Sequence, residues 1–115
     1  MIADECKDIS ESEQLSLCVR YSIGSRPTER FVKFTHLSEG SFTADVIAKE
    51  IGKLVTELVE IGCILTGLAA DGASVMSGEL SGVQAQLKKI YPHLIYIHCV
   101  GHRLNLVIVN SPSKC

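Results

Sequence analysis

The stretch from Leu15 to Ile23 constrains this chain more than any other. Leu15, Leu17, Val19, Tyr21 and Ile23 alternate with Ser16, Cys18, Arg20 and Ser22. A period of two belongs to a β-strand with one buried face. Such a strand needs a hydrogen-bonded neighbour and a layer over its apolar side. Gly24-Ser25-Arg26-Pro27 supplies a turn, and Phe31 to Leu37 then reads as the antiparallel partner.

The covering layer is legible further on. Thr43 is a plausible N-cap, and Ile47, Ile51, Leu54, Val55, Leu58 and Ile61 recur at helical spacing up to Gly62, a natural stop. Cys63 to Leu68 is a short apolar run between glycines and reads as a buried strand. Ser81-Gly82-Val83-Gln84 resembles a capping box that opens a helix through Val83, Leu87 and Ile90, ending before Pro92. Leu94 to His98 reads as another strand and His102 to Asn110 as a last helix, with Leu106 and Val109 on the side of His102. A first strand, from Met1 to about Asp4, reads as one cut short. Three antiparallel strands followed by alternating helix and strand define an α/β sheet covered by helices.

Size and composition agree with one domain over residues 1–115. A chain of 115 residues buries roughly 65% of its unfolded surface. Its 46% hydrophobic and 21% charged content is globular rather than disordered. No apolar run approaches the roughly 20 residues of a membrane span, and the first residues lack the basic and apolar regions of a signal peptide. Five scattered cysteines (Cys6, Cys18, Cys63, Cys99 and Cys115) spell no disulfide framework and suit a reducing, intracellular compartment. Cys18 and Cys63 read as small core residues. The net charge is −2, and eight of the thirteen acids precede residue 46. That balance argues against a free-standing nucleic-acid binder.

Two carboxylates stand out by position. Asp4 is on the first strand, and Asp71 follows a buried strand and precedes Gly72. The carboxyl ends of strands are where open α/β sheets hold ligands, and hard divalent ions take oxygen donors. The bland alternative is that Asp71 merely makes a turn, which is the commoner role of an Asp at a strand end.

The wording around these residues is more specific. Ile2-Ala3-Asp4-Glu5-Cys6-Lys7-Asp8-Ile9-Ser10 and Glu13 to Tyr21 form one block. Asp71-Gly72-Ala73-Ser74-Val75-Met76-Ser77-Gly78 with Gly82-Val83-Gln84-Ala85 forms a second, and His98-Cys99-Val100-Gly101-His102-Arg103-Leu104-Asn105-Leu106-Val107 a third. In this order they resemble the catalytic domain of hAT-type transposases, in the branch of the zinc finger MYM-type protein 1-like proteins. The resemblance implies a ribonuclease H-like mixed sheet, present only in part. It implies DNA strand cleavage and transfer with Mg2+ or Mn2+ held by an Asp, Asp, Glu triad.

Asp4 falls on the first acid of that triad and Asp71 on the second. The third, a Glu, belongs beyond a helical insertion that follows the last strand here, so Glu50, Glu57, Glu60 and Glu79 do not qualify. The zinc-finger, insertion and dimerisation regions of the family are also absent from these residues. The expectation is a fragment inactive by itself, with DNA met only in a longer parent protein, and a nuclear location by the resemblance or else a cytoplasmic one. Lys7 and Val75 depart from the family's usual residues. Lys7 could pair with a carboxylate in competition with a metal, and Val75 removes a polar side chain near Asp71.

The alternative is a domesticated, non-enzymatic module for protein contact or self-association. Cys99 and His102, with His98 beside them, make half a zinc site, but a structural zinc needs four ligands and no Cys-x₂₋₄-Cys pair completes it. In the resembled family the pair reads as part of the core motif. His36 reads as a surface histidine, and Lys88-Lys89 as a helix-end pair facing the dipole.

Overall fold

The computed structural model describes residues 1–7, 13–38 and 42–110. The side chains of Cys6, Lys7, Asn105, Leu106 and residues 108–110 lie outside what it describes. The expectations for the Lys7 ion pair and for Leu106 and Val109 therefore fall outside the described residues.

The chain order is β1 (Ile2–Lys7), β2 (Glu13–Ile23), β3 (Arg26–His36), α1 (Ala44–Glu60), β4 (Gly67–Ala70), α2 (Ser74–Ser77), α3 (Val83–Ile90), β5 (Ile95–His98) and α4 (Val100–Asn110). The strands make one sheet in the order β3-β2-β1-β4-β5. β1, β2 and β3 pair antiparallel, and β4 and β5 join parallel to β1. This is the α/β sheet with helices over it that the alternation and the helical spacing imply, and it fits the ribonuclease H-like mixed sheet that the resemblance implies.

The core lies on one face of that sheet. Ala3 of β1, Leu15 and Leu17 of β2, and Leu68 and Ala70 of β4 are buried against Ile47, Ile51, Leu54 and Val55 of α1. Met76, Val83 and Leu87 extend the same cluster from α2 and α3. Full burial of each large aliphatic side chain contributes about 1.5–3 kcal/mol, so this cluster supplies most of the driving force. The Thr43 hydroxyl accepts from the Val46 N–H at 3.4 Å and starts α1. Gly62, at φ +90°, ends it in a conformation that a β-carbon disfavours. α3 is tied to α1 by Gln86 Nε2, which donates to Asp45 Oδ1 at 2.6 Å.

Several boundaries differ from the sequence reading. β1 runs six residues, to Lys7. The turn is confined to Gly24 and Ser25, and Pro27 lies within β3 opposite Ser22. Proline is tolerated there because β3 is a sheet edge. β4 begins at Gly67, later than the apolar run suggested, and Cys63 is exposed rather than a core residue. The Ser81 capping box does not form: Gly82 is the N-cap, without a side-chain bond. Gln84 instead donates its amide to the Ser77 carbonyl. α2 is an unforeseen turn of helix, and α4 starts at Val100, two residues early.

Candidate functional site

The parallel pairing of β1 with β4 joins the segments that carry Asp4 and Asp71. Ile2 of β1 pairs with Ala69 of β4 in parallel. Asp4 is two residues beyond that pair along β1, and Asp71 is two residues beyond it along the other strand, one past the end of β4. Asp4 lies mid-strand in β1, and Asp71 directly follows the last residue of β4. Side chains alternate along β1, so Asp4 projects from the open face and is exposed, whereas Ala3 on the helix-covered face is 1% exposed.

That alternation brings forward an acid the sequence reading passed over. Glu5 shares the covered face with Ala3, is half-buried, and its Oε1 has no hydrogen-bond partner among the described residues. Burial pushes its carboxyl up to about 7, reinforced by the charges of Asp71, Glu13 and Asp4. Asp4, Glu5 and Asp71 thus share one electronegative neighbourhood. The signal was present in the parity of Ala3 and Glu5 with Leu15 and Leu17. It was hidden because, of that block's acids, Asp4 alone falls on the triad the resemblance implies.

The Asp71 loop is held from three sides. Asp71 Oδ1 accepts from the Ala73 N–H at 3.0 Å, a turn that leads into α2. The Tyr96 hydroxyl donates to the Asp71 carbonyl. Ser77 Oγ donates to the carbonyls of Gly72 and Ala73, both at 2.9 Å. Burial, then the charge of Asp71, pushes the Tyr96 phenol up to about 12, so it remains a donor. The His98 ring packs over Gly72, where a β-carbon would stand 3.0 Å from its Cε1. Tyr96 meets His98 edge-on, with ring centroids 5.6 Å apart. Tyr96 is the second contributor that the sequence reading missed, since an alternating Ile-Tyr-Ile-His strand carries no motif.

The turn role and the ligand role of Asp71 are therefore compatible: one oxygen makes the turn and the other remains outside it. The donors suit a hard divalent ion, because carboxylate oxygens are what such ions prefer. They do not form a closed cage, since among the described residues no three His, Cys, Asp or Glu side chains gather as a metal site.

Cys99 and His102 occupy the start of α4. The Cys99 N–H donates to the Ala70 carbonyl at 2.7 Å, and its own carbonyl accepts from the Arg103 N–H at 3.1 Å. The Cys99 thiol is free and half-buried, and His102 is exposed. The backbone of this motif ties the start of α4 to the end of β4, beside Asp71. Val75 is half-buried and packs against the core.

A mixed sheet of this order with helices over one face fits a ribonuclease-like domain. The family model of the ZMYM1/FAM200 RNase-like domain (DUF4371) matches residues 1–82, and the chain belongs to that family. It is a transposase-derived, ribonuclease-like domain. The match takes in Asp4, Glu5 and Asp71, while α3, β5 and α4 lie beyond it. No solved structure matches the chain.

Proposed function

We propose that this chain is the N-terminal part of an hAT-type transposase catalytic domain, with Asp4 and Asp71 as two of its metal-holding carboxylates. The observation that supports this reading is the parallel pairing of Ile2 with Ala69, two residues before Asp4 on one strand and two before Asp71 on the other. A bound Mg2+ or Mn2+ would polarise a phosphodiester and an attacking hydroxyl. The residues of this chain act by orientation. The Ala73 N–H fixes one oxygen of Asp71, the Tyr96 hydroxyl fixes its backbone, and the β1–β2 ladder fixes the level of Asp4. A further carboxylate from outside these residues would close the site, and without it the chain cleaves no DNA. Misplacement by about 1 Å already costs on the order of a hundredfold in rate. The parent protein would act on DNA in the nucleus.

A second reading rests on a different surface. Ile95 and Ile97 on β5, and Val100, Leu104 and Val107 on α4, are large apolar side chains more than half exposed. Contiguous exposed apolar surface favours association, as in a domesticated protein-interaction module that keeps the fold without the chemistry.

Calorimetric titration with Mn2+ separates the two. The catalytic reading expects saturable binding that Asp4→Asn and Asp71→Asn each abolish. Binding indifferent to both substitutions, or none at all, leaves the metal-dependent chemistry as ancestry alone.

A further inference from the structure

An apolar patch lies where the outer end of β2 meets the C-terminal end of α1. Tyr21 and Ile23 come from the strand, and Val59, Ile61 and Ile64 from the last turn of the helix and the segment after it, and all five are exposed. Between strand and helix opens a cleft of about 360 Å³, with Val55 and Leu58 among its walls and Ile61 and Ile64 at its edge. Those two isoleucines are 77% and 84% exposed. The patch therefore holds a hollow and, beside it, side chains that stand out into solvent.

The charges around the patch fall into two groups. The last turn of α1 holds Glu57 and Glu60 and no base, although the C-terminal end of a helix carries partial negative charge and favours cations. On the hairpin, Arg26 opposes Ile23 and Arg30 opposes Val19. Opposed residues in an antiparallel ladder share a face, so both arginines border the patch. All four charged residues are exposed. Among the described residues the ion pair found is Lys53–Glu50, which includes none of them. Acids on the helix side and bases on the strand side thus flank one apolar surface without pairing.

We propose that this patch is the contact surface between two copies of the chain, related by a twofold axis. In such an isologous contact the same patch serves both partners, so it must complement itself. Ile61 and Ile64 of each copy enter the cleft of the other. Arg26 and Arg30 of each hairpin meet Glu57 and Glu60 of the other copy, and supply the cations that the end of α1 lacks. Any other partner would need a hollow, an apolar knob and both signs of charge in the matching order, which a second copy has by symmetry. Five apolar side chains with a charged rim make a modest interface, of the kind that forms and parts. The surface is separate from that of β5 and α4, and it needs neither Asp4 nor Asp71.

Sedimentation equilibrium of the full chain tests the proposal. The mass should climb from monomer to dimer between about 1 µM and about 1 mM, and stop there, because a twofold contact closes. Ile64→Asp puts a charge into the cleft and should weaken association by about tenfold or more. Leu104→Ser, on α4, should leave it unchanged. Two charge variants decide the pairing. Arg26→Glu with Arg30→Glu makes both sides of the patch acidic, and Glu57→Arg with Glu60→Arg makes both sides basic. Each variant alone should stay monomeric through like-charge repulsion, and their equimolar mixture should dimerise within about threefold of the wild-type affinity. A defect in the fold of either variant would not be cured by mixing. Cys63, exposed on the same cleft, gives a local readout in the unaltered chain: its alkylation by a maleimide should slow as the dimer forms. The proposal is overturned if the chain stays monomeric up to a millimolar, if its mass passes the dimer, or if the mixed charge variants remain monomeric. Cys63 reacting as fast in the dimer as in the monomer, or loss of association in Leu104→Ser, overturns it as well.

Discussion

The two halves of β2 have the same alternation and opposite fates. Leu15 and Leu17, at the inner end, are 0% exposed beneath the helices, whereas Tyr21 and Ile23, at the outer end, are 37% and 67% exposed. Nothing in the residue types separates them. What differs is the reach of the covering layer: α1 and its neighbours bury the sheet next to β1 and β4, and the hairpin extends past them. The inner half builds the core that positions Asp4, Glu5 and Asp71. The outer half is free to carry Arg20, Arg26 and Arg30. Periodicity reports which face a side chain takes, and the packing of distant elements decides whether that face is covered.

Truncations should split these halves most sharply. Leu17→Ala removes a fully buried side chain next to α1 and should destabilise the fold by about 3 kcal/mol. Ile23→Ala should stay within about 0.5 kcal/mol. Urea unfolding measures both, and equal losses would mean that the outer hairpin belongs to the cooperative core. Gly82→Ala comes next. A β-carbon there would stand 2.5 Å from the backbone nitrogen of Gly78, so the α2–α3 join must open, at about 2 kcal/mol. A stability unchanged from wild type would show that the join is loose. Thr43→Ala, which removes the cap of α1, should cost about 1 kcal/mol.

The smallest effect should depend on pH. The Glu5 carboxyl is raised to about 7 in the fold, against about 4.3 in an unfolded chain. The fold thus favours the neutral acid. Its contribution to stability is complete below about pH 4.3 and is lost as pH rises through about 7. Glu5→Gln should therefore be close to neutral at pH 4 and stabilising at pH 8, by an amount that partial solvent exposure keeps small. Paired thermal melts at the two pH values check it. Stabilisation at pH 4 in place of pH 8 would contradict the placement of Glu5 on the covered face.

What the sequence made legible followed from local signals. The alternation of Leu15 to Ile23, the Thr43 cap and the Gly62 stop each encode their element within a few residues, and each is found in place. β4 was misplaced because its Gly-Leu-Ala-Ala has little strand propensity of its own. It is a strand because it lies between β1 and β5. α2 was invisible for the same reason: four residues between glycines show no period. Asp4 and Asp71 were legible as motif positions, but the parallel pairing that joins their segments links residues more than sixty apart in the chain. Glu5 and Tyr96 join the site through that long-range pairing and through burial, which one-dimensional spacing does not record.

The central claim is that the β1–β4 end, and not the outer hairpin, takes a divalent cation. Substoichiometric Mn2+ added to labelled protein tests it directly, through paramagnetic broadening of amide signals. The account predicts selective loss of signal from residues 3–5 and 70–73, with residues 20–33 unaffected. Even broadening across the chain, or broadening that starts in the hairpin, would contradict it.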